Sequence, residues 1–418
     1  MPGSEARVER RTRTIACAKY SADFSEVDPP MKITEIRDEV VSIRSEIRNA
    51  YISFAEMTVS AVAILTDVVR DGKPVVGYGF HSNGRYAQRG ILRSRLIPRL
   101  LRAKPEELLD SSGSNFDPFR AWEVMMTNEK PAGHGERSVA VGALDMAFWD
   151  LVGKIEGKPL YQVLADRYSG GVSKPVVELY AAGGYYYPDK DLESLKEEMR
   201  GYRDLGYTSL KMKIGGAPLE DDLRRIEAAL EVAGQGNLLA VDANGRFDLE
   251  TAVRYGEAMA PYGLKWYEEP GDPLDFKLNA AVAKGSTTPI ATGENLFSSQ
   301  DSLNLIRYGG LDPKRDILQM DPTLSYGLVD YLRMLDLIES EGWSRARCWP
   351  HGGHQMALHI VAGLGIGGSE SYPGVFVPFG GFADDVPIEN GAIRTPDAPG
   401  LGLELKADLL KIYTKLAG

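Results

Sequence analysis

Cysteine is almost missing from this sequence: Cys17 and Cys348 are the only two among 418 residues. Two thiols so far apart give no disulfide framework and no thiolate metal cluster, which fits a reducing, cytoplasmic setting. No stretch approaches the ~18 consecutive apolar residues needed to span a bilayer. The Arg-studded N-terminus lacks the apolar segment of a signal peptide, so the chain reads as soluble and unexported, with no membrane partner. Positive charge is also short: 48 Lys plus Arg face 59 Asp plus Glu, a formal net charge of −11. The basic residues are scattered, which argues against nucleic acid or an anionic membrane surface as the main partner. An anionic ligand must therefore meet a local positive site. No Gly-x-Gly-x-x-Gly opens a helix after a first strand, which weakens a dinucleotide-binding reading.

What is present is apolar material, 43% of the residues, enough for a large core in a length that suggests two or three domains. Residues 1–30 keep neither a helical nor a strand period and end in Pro29-Pro30, so they read as an irregular extension, with Met31 a candidate initiator. From Met31 to about residue 160 the pattern is α+β. Two apolar runs, 58–69 and 74–80, flank the polar turn Arg70-Asp71-Gly72-Lys73 as a hairpin, and 138–153 carries small and apolar residues at helical spacing. Beyond residue 175 short apolar strands alternate with amphipathic helices. The strands expected are 176–183, 209–215, 238–245, 265–270, 289–295, 317–323 and 347–353, with helices such as 219–233 and 326–341 between them. This α/β rhythm points to a barrel of TIM type over about residues 161–385.

A spacing carries the chemistry. Lys213, Asp242, Glu268, Glu294, Asp321 and His351 follow one another at steps of 26 to 30 residues, one βα unit each, and each stands near the end of an expected strand. In a barrel those ends converge on one site. Asp242, Glu268 and Glu294 would repel one another there unless a cation lay between them, and a hard divalent ion such as Mg²⁺ fits. Glu269 should face away from that ion by strand alternation. Lys211 and Lys213 share a strand face, and their mutual repulsion and burial should lower at least one pKa, leaving a neutral amine as a general base. Asp321 would orient His351 as a general acid. His354 and His359 are read as packing or supporting residues.

Lys-x-Lys, then Asp, Glu and Glu at unit spacing, then an Asp–His pair: this set resembles the enolase superfamily in its mandelate-racemase-like branch, from Met31 to Gly418. The resemblance extends to the segments 47–51, 82–86, 128–131, 134–138, 183–187 and 369–373. It implies a modified TIM barrel, (β/α)₇β, under an N-terminal α+β capping domain (31–160) completed by the C-terminal segment 386–418. It implies Mg²⁺ as cofactor, a small hydroxy diacid as substrate and a homo-oligomer, dimer or octamer. Asn49, Asn83, Lys130, Tyr187 and Glu370 become the expected substrate contacts, with Tyr185 and Tyr186 as neighbouring candidates, while His81 stands where an amide is expected. The implied reaction is dehydration of D-tartrate to oxaloacetate. Lys213 removes the α-proton, Mg²⁺ and Lys211 stabilise the enediolate, and His351 assists loss of the β-hydroxyl. Three alternatives stay open: another acid-sugar dehydratase, an epimerase or racemase using Lys213 and His351 on opposite faces, and a silent metal-binding barrel.

Overall fold

β-Branched and aliphatic residues crowd the segment Thr58–Arg70, and it forms the long central strand β2 of a three-stranded antiparallel sheet. β1 (Ile33–Ser42) and β3 (Lys73–Phe80) flank it, with Asp71 and Gly72 at positive φ in the turn between β2 and β3. In this computed structural model the described residues are 30–43, 45, 47–187 and 191–418, so Cys17 and all of the expected extension but Pro30 lie outside them. Met31–Gly418 is one compact unit. No helix among the described residues is long and apolar enough to cross a membrane.

Short helical turns α1 (Arg89–Ile91) and α2 (Ile97–Arg102) lead to α3 (Pro118–Met126), whose N-cap Asp117 accepts from Phe119 N at 2.9 Å. The long helix α4 (Glu136–Glu156) then packs on β3. Its small residues allow close approach: a Cβ added to Gly77 or Gly79 would stand 2.3 Å from Ala147 O or 2.2 Å from Ala143 O. α4 also reaches the rest of the fold. Asp145 Oδ2 accepts Leu328 N at 2.6 Å at the start of a later helix, and a Cβ on Gly142 would lie 2.5 Å from Thr323 O.

After α5 (Leu160–Tyr168) the barrel begins. Its parallel strands are β4 (Val176–Gly183), β5 (Ser209–Lys213), β6 (Leu239–Asp242), β7 (Tyr267–Glu268), β8 (Ile290–Thr292) and β9 (Ile317–Leu318), each hydrogen-bonded to the next. The helices between them are α6 (Leu192–Asp204), α7 (Leu219–Ala233), α8 (Leu249–Met259), α9 (Phe276–Gly285), α10 (Ser299–Tyr308) and α11 (Leu328–Ser340). The local chemistry that starts them is repetitive. Asp191, Asp248, Asp275 and Ser298 each accept a backbone N–H of the first turn, whereas α7 places Glu220, Asp221 and Asp222 at its positive end.

The seventh expected strand, 347–353, is not formed as a strand. Cys348 makes one parallel bridge to Leu318, after which Pro350 and the positive φ of Gly352 and Gly353 turn the chain away. α12 (Gln355–Leu364) follows, and β10 (Ser369–Ser371) pairs in parallel with β4. Gly367 N donates to Cys348 O at 3.1 Å, joining that bridge to the approach of β10. The order is thus six βα units, a seventh in which a single bridge at Cys348 stands in for the strand before α12, and a final strand around one core. Tyr180, Trp266 and Trp349 fill it, with ring centroids 5.0 to 6.0 Å apart.

The last segment serves both parts. The hairpin β11 (Ile388–Glu389) and β12 (Ala392–Arg394) pairs antiparallel with the start of β4, and α13 (Ala407–Ala417) lies on β1 and β2. There Tyr413 Oη donates to Gly79 O at 3.1 Å and Arg37 donates to Leu416 O at 3.0 Å.

Candidate active site

Strand register assembles the site. Lys213 lies opposite Asp242 across β5 and β6, and Asp242 opposite Glu268 across β6 and β7. Glu294 follows β8 by two residues. One carboxylate oxygen from each of Asp242, Glu268 and Glu294 can be chosen so that all three lie within 4.8 Å of one another. Such a ring of oxygen donors fits a hard divalent cation. Glu268 is fixed for this purpose, since its Oε2 accepts from Trp266 Nε1 at 2.8 Å and Gln319 Nε2 at 2.7 Å. Burial, and Asp242 beside it, push its carboxyl up to about 8.

The two lysines share a face of β5, as alternation requires, and both are buried. Lys211 Nζ lies 2.5 Å from Glu268 Oε1 and 2.7 Å from Glu370 Oε1, while Lys213 Nζ pairs with Asp242 Oδ2. Their protonation corrects the expectation from sequence. Burial disfavours the charged form of Lys211, yet Glu268 and Glu370 override it and hold the ammonium well above its usual pKa. Lys213 is likewise raised, because Asp242, Glu294 and Glu268 together outweigh burial and repulsion from Lys211. The carboxylates around the pair outnumber it.

Asp321 holds the histidine. Its Oδ2 meets His351 Nδ1 at 2.8 Å, while Oδ1 accepts Thr323 N at 2.8 Å and Thr323 Oγ1 at 2.9 Å. A Cβ on Gly352 would come within 2.7 Å of Asp321 Oδ2 and of His354 Nε2, so glycine is required for this fit. Burial opposes protonation of His351, but Glu294, Glu370 and Asp321 raise its pKa to about 10. Tyr372 Oη, which the sequence reading did not single out, lies 3.0 Å from His351 Nε2. His354 caps α12, and His359 bonds Tyr161 N at 3.1 Å and Leu401 O at 3.1 Å, both away from the cavity.

Above these groups lies a cavity of about 910 Å³, lined by Lys213, Glu294 and His351 below and by capping loops above. Asn49, Asn83 and Arg85 reach it from the loops after β1 and β3, and His134 from the turn before α4. Asn49 Oδ1 accepts Tyr51 N and Ile52 N at 2.8 and 2.9 Å, which shapes its own loop. Three expected substrate contacts, Lys130, Tyr187 and Glu370, do not line the cavity. Lys130 is exposed and does not line the cavity; His134, further along the same turn, does. Tyr187 does not line it either, whereas Tyr185, two residues before it, does. Tyr186 Oη turns to Asp222 Oδ1 at 2.6 Å. Glu370 sits beneath the open cavity, buried beside Lys211, and accepts Gly352 N at 3.1 Å. His81 is buried outside the cavity, its Nε2 accepting Ser60 N at 3.0 Å.

Glu269 is not one of the three carboxylates whose oxygens come together. At φ +40° it leaves the strand conformation, and its buried carboxyl is pushed well above the usual range by burial and then by Glu294 and Asp242. Asn295 Nδ2 donates to both of its oxygens, at 2.9 and 3.0 Å. Asn244, also missed, lines the cavity with a buried Oδ1 that has no partner among the described residues.

The family described as Enolase C-terminal domain-like matches residues 194–409, more than half of the chain. The chain belongs to the enolase superfamily. Among enolase-superfamily relatives, the 3,6-anhydro-alpha-L-galactonate cycloisomerase of Streptomyces coelicolor is 31% identical over 81% of this chain and 88% of its own. The L-talarate/galactarate dehydratase of Salmonella typhimurium is 28% identical over 82% of this chain and 81% of its own. A solved structure of L-talarate dehydratase from Polaromonas sp. JS666, complexed with Mg and L-glucarate, superposes with a TM-score of 0.71 at 26% identity. It covers 90% of this chain and 97% of that one. The superfamily fold, a capping domain over a barrel, is the fold of this chain.

Proposed function

We propose that this enolase-superfamily chain is a Mg²⁺-dependent dehydratase of hydroxy acids of the acid-sugar kind. The observation that carries the reading is the shared cavity: Lys213, His351 and the carboxylate Glu294 line one space, with Asp242 and Glu268 beside them. A buried amine and a buried imidazole around the same ligand supply both proton transfers that β-elimination of water needs. The dehydratase relatives support the same reaction class.

Lys213 is the base that removes the proton next to the substrate carboxylate. Lys211, fixed by Glu268 and Glu370, sets a permanent positive charge beside the oxygens on which negative charge develops. Asp242, Glu268 and Glu294 would hold Mg²⁺, which would supply Lewis-acid charge at the substrate carboxylate and draw off the carboxylates that otherwise keep Lys213 charged. His351, oriented by Asp321 through Nδ1, gives its Nε2 proton to the departing hydroxyl. Water and an enol leave this step, and the enol becomes a 2-keto acid.

D-Tartrate, giving oxaloacetate, is the four-carbon candidate from the motif resemblance. A longer acid sugar is the second reading, favoured by a cavity of about 910 Å³, ample for a five- or six-carbon chain. The motif resemblance supports a homo-oligomer as the assembly. The test is purified protein with Mg²⁺ against the three tartrate stereoisomers and a set of five- and six-carbon acid sugars, read by keto-acid formation. Dehydration yields a keto acid, and epimerisation yields a stereoisomer. Absence of any reaction would return the silent-barrel alternative.

A further inference from the structure

Arg85 is the one guanidinium that lines the cavity among the described residues. It is half-buried, and the charge lies 4.7 Å above the centroid of the Phe297 ring. NH1 donates to Gly84 O at 2.7 Å and NH2 to Asn295 Oδ1 at 2.9 Å. Several other arginines of the capping region meet carboxylates, as Arg93 does with Asp38 and Arg137 with Glu129. Arg85 has no such ion pair among the described residues. These two contacts use two of the five N–H donors of a guanidinium, so its fork retains donors for a ligand. A partly desolvated cation without a counter-ion favours an incoming anion.

Its position relative to the metal carboxylates gives that anion a meaning. Asn295, which takes the Arg85 bond on Oδ1, lies with its Nδ2 3.3 Å from Glu294 Oε1. One amide therefore separates the guanidinium from a carboxylate of the proposed metal site, a span comparable with a short carbon chain. The other basic side chains that line the cavity are engaged elsewhere: Lys213 with Asp242, His351 with Asp321, and His134 Nδ1 with Tyr326 Oη at 3.1 Å.

We propose that Arg85 grips the far carboxylate of a dicarboxylic acid sugar, so that the site selects diacids over monoacids of the same length. This rests on the dehydratase reading for the placement of the first carboxylate. The test is calorimetric binding to the Mg²⁺-loaded full chain with two matched pairs, D-tartrate against D-threonate and galactarate against D-galactonate. Within each pair the carbon chain is the same and one terminal carboxylate becomes a hydroxymethyl. Wild-type protein should bind one diacid at least about tenfold tighter than its partner. Arg85→Met, which keeps an unbranched side chain over Phe297, should bring the pair to within about twofold while leaving monoacid affinity in place, and Arg85→Lys should keep part of the preference. An unchanged preference in Arg85→Met, an equal loss for both acids, or no preference or binding in wild type would each overturn the proposal. Turnover separates the two readings. An Arg85-dependent preference without keto acid keeps the anchor and removes the dehydratase, whereas keto acid from wild type without that preference does the reverse.

Discussion

Around Lys213 the balance of charges, rather than burial, sets the resting protonation state. Two lysines on one strand face suggested depressed pKa values, yet Asp242 and Glu268 raise both, joined by Glu370 at Lys211 and Glu294 at Lys213. Spacing made the residue identities legible; the sign of the shift needed the neighbours' positions. The same limit applies to Glu269, whose positive φ takes it out of the strand conformation. For the proposed roles, Lys213→Ala should lose both exchange of the substrate α-proton with solvent and dehydration, each by roughly 10²-fold or more. His351→Asn should retain exchange and lose dehydration by a similar factor. Exchange by NMR in D₂O beside a keto-acid assay measures the two steps separately, and wild-type rates of both in His351→Asn would remove the acid. Gly352→Ala, with its Cβ 2.7 Å from Asp321 Oδ2, should lower dehydration as His351→Asn does, although it removes no titratable group.

Among the elements, β2, β3, β4 and α7 follow the apolar pattern closely because each buries one clear face or both. The region 347–353 carries the same apolar signal, but Pro350 and two positive-φ glycines outweigh it and leave one bridge. The contact of β3 with α4 was not visible in the sequence, since glycines mark close approach only once a partner is known. Gly77→Ala or Gly79→Ala should cost about 1–3 kcal/mol, measured as a lowered urea midpoint with the metal carboxylates untouched.

His359, packed between Tyr161 and Leu401, adds a pH dependence. Burial lowers its pKa from 6.5 to about 4, so the folded ring stays neutral while the unfolded one takes up a proton. Its contribution is therefore present above pH 6.5 and is lost as pH falls toward 4. Between pH 7 and pH 5 this residue should remove about 2 kcal/mol of stability. The fall in urea stability over that range should be smaller by about that amount in His359→Gln.

For the whole molecule, a net charge of −11 argued against polyanions as partners but hid a site whose proposed ligand is itself an anion. Its positive groups are local: Lys211, Lys213, His351 and Arg85 stand beside three acids arranged for a cation. Binding of Mg²⁺ to the folded chain should stabilise it by about 2.7 kcal/mol at a hundredfold excess over Kd. Chelation should reverse the gain, and Asp242→Asn or Glu294→Gln should abolish most of it, as read by thermal melting with and without Mg²⁺. The most direct measurement follows the reaction itself: wild-type, Lys213→Ala and His351→Asn proteins with Mg²⁺ in D₂O, against tartrates and longer acid sugars, monitored by NMR. The expected result is a 2-keto acid from wild type, α-deuterated starting acid from His351→Asn, and neither from Lys213→Ala. A stereoisomer in place of the keto acid, or a keto acid formed at the wild-type rate by Lys213→Ala, would contradict the account.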